Sequence, residues 1–146
     1  MVAGRTSNRF DLGGVNFTVD AACGSSLAAV YLACQELAAG TSDMVITGGC
    51  DTVQNPFAYM CFAKATALSP TGKPRVFDVN ADGICISEGI ATVALKRLED
   101  AERDGDRIYS VIRGVAGGSD GKSKSCLLYT SPSPRDATLS RMPSSA

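Results

Sequence analysis

A layered α/β fold is what this sequence predicts, and three observations carry the prediction. Short apolar runs, several rich in β-branched residues, recur at 15–19, 43–47, 89–95 and 108–113. Stretches with a helical pattern lie between them, at 24–39, 56–67 and 98–104. The two kinds are punctuated by turn formers such as Asp11-Leu-Gly-Gly14, Gly48-Gly49 and Ser69-Pro-Thr-Gly-Lys-Pro74. The resulting order β, α, β, α, β, α, β is that of a layered domain with a largely parallel sheet.

Each element has its own signal. Val15-Asn-Phe-Thr-Val19 alternates with period two, as a half-buried strand does. Residues 27–34 are apolar on every side, which suits a helix over 24–39 buried between layers, and Gly40 is its stop. Asp43-Met-Val-Ile-Thr47 fits a buried parallel strand that turns sharply at Gly48-Gly49. A helix follows over about 56–67, then another buried strand over 89–95. Leu98-Glu-Asp-Ala-Glu-Arg-Asp104 reads as an exposed, charged helix ending before Gly105, and residues 108–113 alternate as a last strand. The mixed-sign run 99–107 reads as a solvated face.

The chain has 146 residues, 14 Lys and Arg, 15 Asp and Glu, no His and no Trp, with 45% hydrophobic residues. One domain with a real core fits this length. No basic stripe is present to track a phosphate backbone, so nucleic acid is not an expected partner. Without histidine the chain holds no Ser/His or Cys/His pair and no imidazole-based zinc site. No run of about 18 apolar residues exists to span a bilayer, and the first residues are not an apolar signal, so a cytoplasmic protein and no membrane partner are expected. The cysteines at 23, 34, 50, 61, 85 and 126 stand singly, with no C-x-x-C pair, and read as reduced thiols. Dinucleotide, P-loop and serine-hydrolase signatures are absent.

Residues 126–146 break the pattern. Cys126-Leu-Leu-Tyr-Thr-Ser-Pro-Ser-Pro-Arg-Asp136 resembles the translation of a transposase-type library adapter, and Ser140-Arg-Met-Pro-Ser-Ser-Ala146 that of the flow-cell end of the same adapter. The expected organisation is a natural portion over 1–125 and a non-native, disordered tail over 126–146. Leaving the tail out gives 12 basic and 14 acidic residues and removes Cys126, so the charge reading stands.

Cys23 is the candidate for chemistry. It follows a predicted strand, precedes a predicted helix, and is flanked by the small residues Ala21, Ala22, Gly24, Ser25 and Ser26, which let a substrate approach. The positive end of a helix dipole favours a thiolate there. Position alone leaves two readings open, a nucleophile and a small buried hydrophobe. Cys34, Cys61 and Cys85 read as packing residues, Cys50 as one with a chance of lining a site at a strand end, and Glu88 as a buried carboxylate with a structural hydrogen bond.

Thr18-Val-Asp-Ala-Ala-Cys-Gly-Ser-Ser-Leu27 resembles the nucleophile motif of β-ketoacyl synthases, the condensing enzymes of fatty-acid and polyketide assembly. The resemblance continues through Asp43-Met-Val-Ile-Thr-Gly-Gly49, Ala67-Leu-Ser-Pro70, Phe77-Asp-Val-Asn-Ala-Asp-Gly83, Ser87-Glu-Gly89, Val93-Ala-Leu-Lys-Arg-Leu98 and Asp104-Gly-Asp-Arg-Ile-Tyr109, in the family's order and spacing. Its details look most like iterative multidomain synthases of polyunsaturated fatty acids, heterocyst glycolipids or enediynes. Gly24, where the family commonly has Ser or Ala, is a departure that loosens the helix start.

The resemblance implies a thiolase-like fold, of which the chain holds most of the N-terminal half only. It makes Cys23 the acyl-accepting nucleophile, with its own N–H as half of an oxyanion hole. It implies no bound cofactor, because substrates arrive on the phosphopantetheine of an acyl carrier protein. The implied partners are that carrier, acyl and malonyl thioesters, and a second copy in a homodimer. The family's two catalytic histidines lie in downstream motifs absent here, so the chain alone is expected to be inactive and, as half of a two-half fold, poorly soluble. Two alternatives are a non-catalytic, ketosynthase-like partner or scaffold protein and an unrelated cysteine hydrolase.

Overall fold

The computed structural model describes residues 2–52 and 55–118. The chain divides into two compact units, residues 1–116 and 117–146. The expected boundary at residue 125 and the disordered tail beyond it lie outside the described residues.

The described part mixes helices and strands, as the α/β expectation requires. Helix α1 spans Val2–Phe10, a 3₁₀ turn spans Ala22–Gly24, and helix α2 spans Ser25–Ala38. Strand β1 is Met44–Asp51, helix α3 Pro56–Lys64, strand β2 Gly89–Lys96 and helix α4 Leu98–Asp104. Helix α1 was not expected from the sequence. It contains Gly4, Thr6, Ser7 and Asn8, all weaker helix formers than Ala, and buries no residue.

Helix ends follow local chemistry. Gly40 and Gly105 take the left-handed φ values of 72° and 70° that stop α2 and α4. Beyond α2, the Gly40 N–H donates to Leu37 O at 3.2 Å and the Thr41 N–H to Glu36 O at 3.3 Å. Asn55 caps α3 by accepting the Ala58 N–H at 2.8 Å, with Pro56 in the first helical position. That helix stops at Lys64, short of residue 67, and Thr66 reverses the chain at φ 53°.

The sheet departs from expectation. Among the described residues β1 and β2 form a two-stranded antiparallel sheet, with Met44 opposite Lys96 and Asp51 opposite Gly89. The expected largely parallel sheet is thus corrected. The segment 52–88 returns the chain to the end at which it left β1. Within that connection Ile84 N–H donates to Ala67 O at 2.8 Å and Ser69 N–H to Ile84 O at 2.9 Å, forming a single parallel bridge. Apolar runs report burial, not strand direction.

Residues 15–19 and 108–113 form no strand among the described residues. Their alternation suits a pleated backbone, but a strand is completed only by a neighbour's hydrogen bonds. Val15, Phe17, Tyr109 and Val111 stand exposed. Helix α2 packs against β1. It buries Ala33 and Leu37, while Leu27 remains 73% exposed, so the expected burial between two layers is replaced by packing on one side. Both strands of the expected buried sheet likewise expose apolar residues, including Met44, Ile90 and Val93.

Gly48 and Gly49 do not turn the chain; β1 runs straight through them to Asp51. A Cβ on Gly48 would lie 2.1 Å from Ala91 O, and one on Gly49 would lie 2.8 Å from Ser26 Cβ. The pair therefore lets β1 approach β2 on one side and the first turn of α2 on the other.

Charge clamps the other end of this unit. Arg97 donates from Nε to Asp100 at 2.5 Å, from Nη1 to Ser42 O at 2.7 Å and Leu37 O at 3.1 Å, and from Nη2 to Asp43 at 2.6 Å. One guanidinium thus ties the end of α2, the approach to β1 and the start of α4. Asp100 is buried, not part of a solvated face. Burial opposes its charge, but hydrogen bonds from Arg97 and Arg103 outweigh that and hold its pKa below the ordinary carboxylate value.

Asp104 takes hydrogen bonds from Arg103 and Lys96, which lower its pKa from 3.8 to about 2. Its folded pKa lies below the unfolded one, so its contribution is present above pH 3.8 and is lost as pH falls toward about 2. A carboxyl-carbon chemical-shift titration at low salt should place the Asp104 midpoint near 2, rising in Lys96→Met; a midpoint at the ordinary 3.8 would contradict the clamp.

Candidate functional site

The segment 20–26 is built from short polar and small residues that bend the chain tightly into α2. Asp20 Oδ1 accepts the Ala22 N–H at 3.0 Å. Ser25 Oγ accepts the Ala21 N–H at 2.9 Å and donates to Ala22 O at 2.6 Å. The Gly24 N–H donates to Ala21 O at 3.0 Å. Ala22 adopts φ 48°, a left-handed conformation that a residue with a Cβ enters only when its surroundings impose it.

Cys23 lies in this turn, exposed, two residues ahead of the first residue of α2. Its N–H donates to no other described residue. The expected strand before it is an extended segment without a strand partner, so the helix end and the bonds of Asp20 and Ser25 position the thiol. Sequence reading counted Ser25 among the small residues beside the thiol and gave Asp20 no separate role. Their signal is the side-chain-to-backbone pattern of Asp and Ser beside a helix start.

Gly24 occupies the N-cap of α2 at φ −89° and offers no side-chain cap. A Cβ there would meet nothing within 4 Å, so neither conformation nor space demands glycine. The site is carried toward the sheet by Ser26, which faces Gly49.

The other cysteines sort differently from expectation. Cys34 and Cys85 are partly buried, as packing residues, while Cys50 and Cys61 are exposed. All five described cysteines are free thiols. Glu88 is exposed and forms no hydrogen bond with another described residue, which corrects the expected buried carboxylate. A separate open cleft of about 620 Å³ lies between α1 and the segment 16–18, lined by Arg5, Arg9, Asn16 and Phe17 among others, without Cys23. Among the described residues no helix is long and apolar enough to cross a membrane.

Residues 1–101 match the family described as the β-ketoacyl synthase N-terminal domain. The chain is 42% identical over 139 residues to a phenolphthiocerol/phthiocerol polyketide synthase protein of Mycobacterium tuberculosis, covering 95% of this chain and 8% of that protein. It is 47% identical over 123 residues to a polyunsaturated fatty acid synthase protein of a Thraustochytrium species, covering 84% of this chain and 4% of that protein. Among solved structures it is similar to the ketosynthase from module 6 of the bacillaene synthase of Bacillus subtilis. That likeness has a TM-score of 0.70 and 40% identity, over 73% of this chain and 19% of the other. The chain therefore spans less than a tenth of these curated relatives and about a fifth of the solved ketosynthase.

The two glycines predict opposite outcomes. In a complete domain containing this stretch, Gly24→Ser should raise thermal stability by a few tenths of a kcal/mol through the restored cap. Gly49→Ala should lower it, because Ser26 must move. Equal melting temperatures for the two variants would contradict the close approach of α2 to β1.

Proposed function

The chain belongs to the β-ketoacyl synthase family, and we propose that it is part of a condensing enzyme in which Cys23 accepts the acyl chain. The supporting observation is the match over residues 1–101, within which the turn at 20–26 presents an exposed thiol at the head of α2. The helix start supplies a positive field for the thiolate.

The reaction proceeds in two stages. The Cys23 thiolate attacks the carbonyl carbon of an acyl thioester on the phosphopantetheine of an acyl carrier protein. A new C–S bond forms, and charge passes to the carbonyl oxygen, to which the Cys23 N–H donates. Collapse breaks the bond to the carrier sulfur, which leaves as a thiolate and takes up the proton given up by Cys23. A malonyl thioester then loses its carboxylate as carbon dioxide, and the electron pair of the broken C–C bond forms an enolate. The enolate carbon attacks the acyl carbonyl on Cys23, and release of the Cys23 thiolate leaves a β-ketoacyl product.

This chain supplies the nucleophile and the N–H donor. It contains no histidine to polarise the malonyl carbonyl, so on this reading it does not condense by itself. The enzyme we propose is a cytoplasmic homodimer served by acyl carrier protein, with residues 126–146 foreign to it. The match of 123 residues to the polyunsaturated fatty acid synthase has about the length of the portion ahead of residue 126, whereas the mycobacterial match of 139 residues runs past it.

The test begins with the source DNA, sequenced through residue 125 from a library made without that adapter. The reading frame should continue into two histidine-bearing motifs, and the complete domain should release carbon dioxide from malonyl carrier protein and form a β-ketoacyl product. Cys23→Ala should abolish product formation. A gene that ends here, or a Cys23→Ala domain that still condenses, would overturn the proposal.

A further inference from the structure

We propose that Ser25 is a positioning residue that aims the Cys23 N–H at the oxygen of the reacting thioester. The inference rests on the reading of Cys23 as the acyl acceptor. It starts from the peptide unit joining Ala22 to Cys23, whose two polar groups are the Ala22 carbonyl and the Cys23 N–H. No described peptide bond is cis, so these two groups point in opposite directions across a rigid plane. Whatever fixes one fixes the other.

Ser25 fixes the carbonyl. Its Oγ donates to Ala22 O at 2.6 Å, and its backbone N–H also reaches Ala22 O as the cap of the 3₁₀ turn. The same hydroxyl accepts the Ala21 N–H at 2.9 Å, so its donor and an acceptor site are both used and its own rotation is locked. Asp20 braces the preceding peptide unit through the Ala22 N–H at 3.0 Å. Between the two braces Ala22 is held at φ 48°, a conformation it would leave if released.

The Ala22 carbonyl is thereby turned back toward the helix, and the Cys23 N–H, trans to it, is turned away and left without a partner among the described residues. A donor held in this way needs no reorganisation when negative charge develops on the substrate oxygen. Ser25 need not touch the substrate. Its effect passes through one peptide plane.

The role separates two reactions of the same thiol. Acyl transfer passes through an oxyanion, whereas alkylation by iodoacetamide is a displacement at carbon that forms none. In the complete domain, Ser25→Ala should slow acylation of Cys23 by a simple acyl thioester at least about tenfold, part of the 10²–10³ that deletion of an oxyanion donor costs. Alkylation of Cys23 should change less than about threefold. Ser25→Thr, which keeps the hydroxyl, should restore acylation to within about threefold of the parent, with thermal unfolding confirming that each variant is folded.

Unchanged acylation in Ser25→Ala, or equal losses in both reactions, would overturn the positioning role. So would a folded Ser25→Thr as slow as Ser25→Ala. Mass mapping of the acyl adduct keeps the two ideas apart, because an adduct on a residue other than Cys23 defeats the nucleophile reading, whatever Ser25 does.

Discussion

Helix α2 meets strand β1 where Ser26 faces Gly49, and the placement of the thiol turn depends on that contact. Strand β1 is in turn held at its distance from β2 by Gly48, whose missing Cβ leaves room for the Ala91 carbonyl. The two glycines act on opposite sides of one strand. They bring a helix and a second strand close to the same backbone, and Cys23 stands three residues ahead of the helix residue that makes the contact. Arg97 closes the other end of the unit by binding the Leu37 carbonyl near the end of α2 and the carboxylates of Asp43 and Asp100. The helix is thus seated at its start by the absence of side chains and at its end by a charged one.

On the function proposed above, this arrangement serves acyl transfer for a reason of energetics. A nucleophilic thiol works best when its thiolate and the oxyanion it creates are both stabilised by groups already in place. In the proposed reaction the Cys23 N–H, without a partner among the described residues, serves the oxyanion from the same short turn that carries the thiol. Local strain at Ala22 is the cost of that economy, and it is sustained by the bonds of Asp20 and Ser25. The apolar surface left on α2, on β2 and along 15–19 accords with a chain that spans about a fifth of the solved ketosynthase it matches.

Elements governed by local chemistry were legible in the sequence. Residues 98–104 and Gly105 carry their own start and stop, and α4 appears there; α2 begins within one residue of its expected start and stops at Gly40. Elements that depend on distant partners were not. The alternation at 15–19 and 108–113 is that of a strand, but pairing is a property of two segments, and neither finds a partner among the described residues. Strand direction escaped for the same reason, since Val45, Ile46 and Val93 would be apolar in either orientation. Gly48-Gly49 was read as a turn because glycine permits one, whereas here its value is the volume it does not occupy. Cys23 was singled out by its neighbours and by family likeness, and the structure places it as an exposed thiol in the turn ahead of α2. Asp20 and Ser25 were not, because their roles are bonds to backbone groups that only the folded turn brings together.

The nucleophile assignment is tested most directly by brief exposure of the complete domain to a limiting acyl thioester, followed by peptide mass mapping of every cysteine. The account predicts the acyl group on Cys23 ahead of Cys50 and Cys61, the two other exposed thiols among the described residues. Acylation of Cys50 or Cys61 first, with Cys23 unmodified, would contradict it.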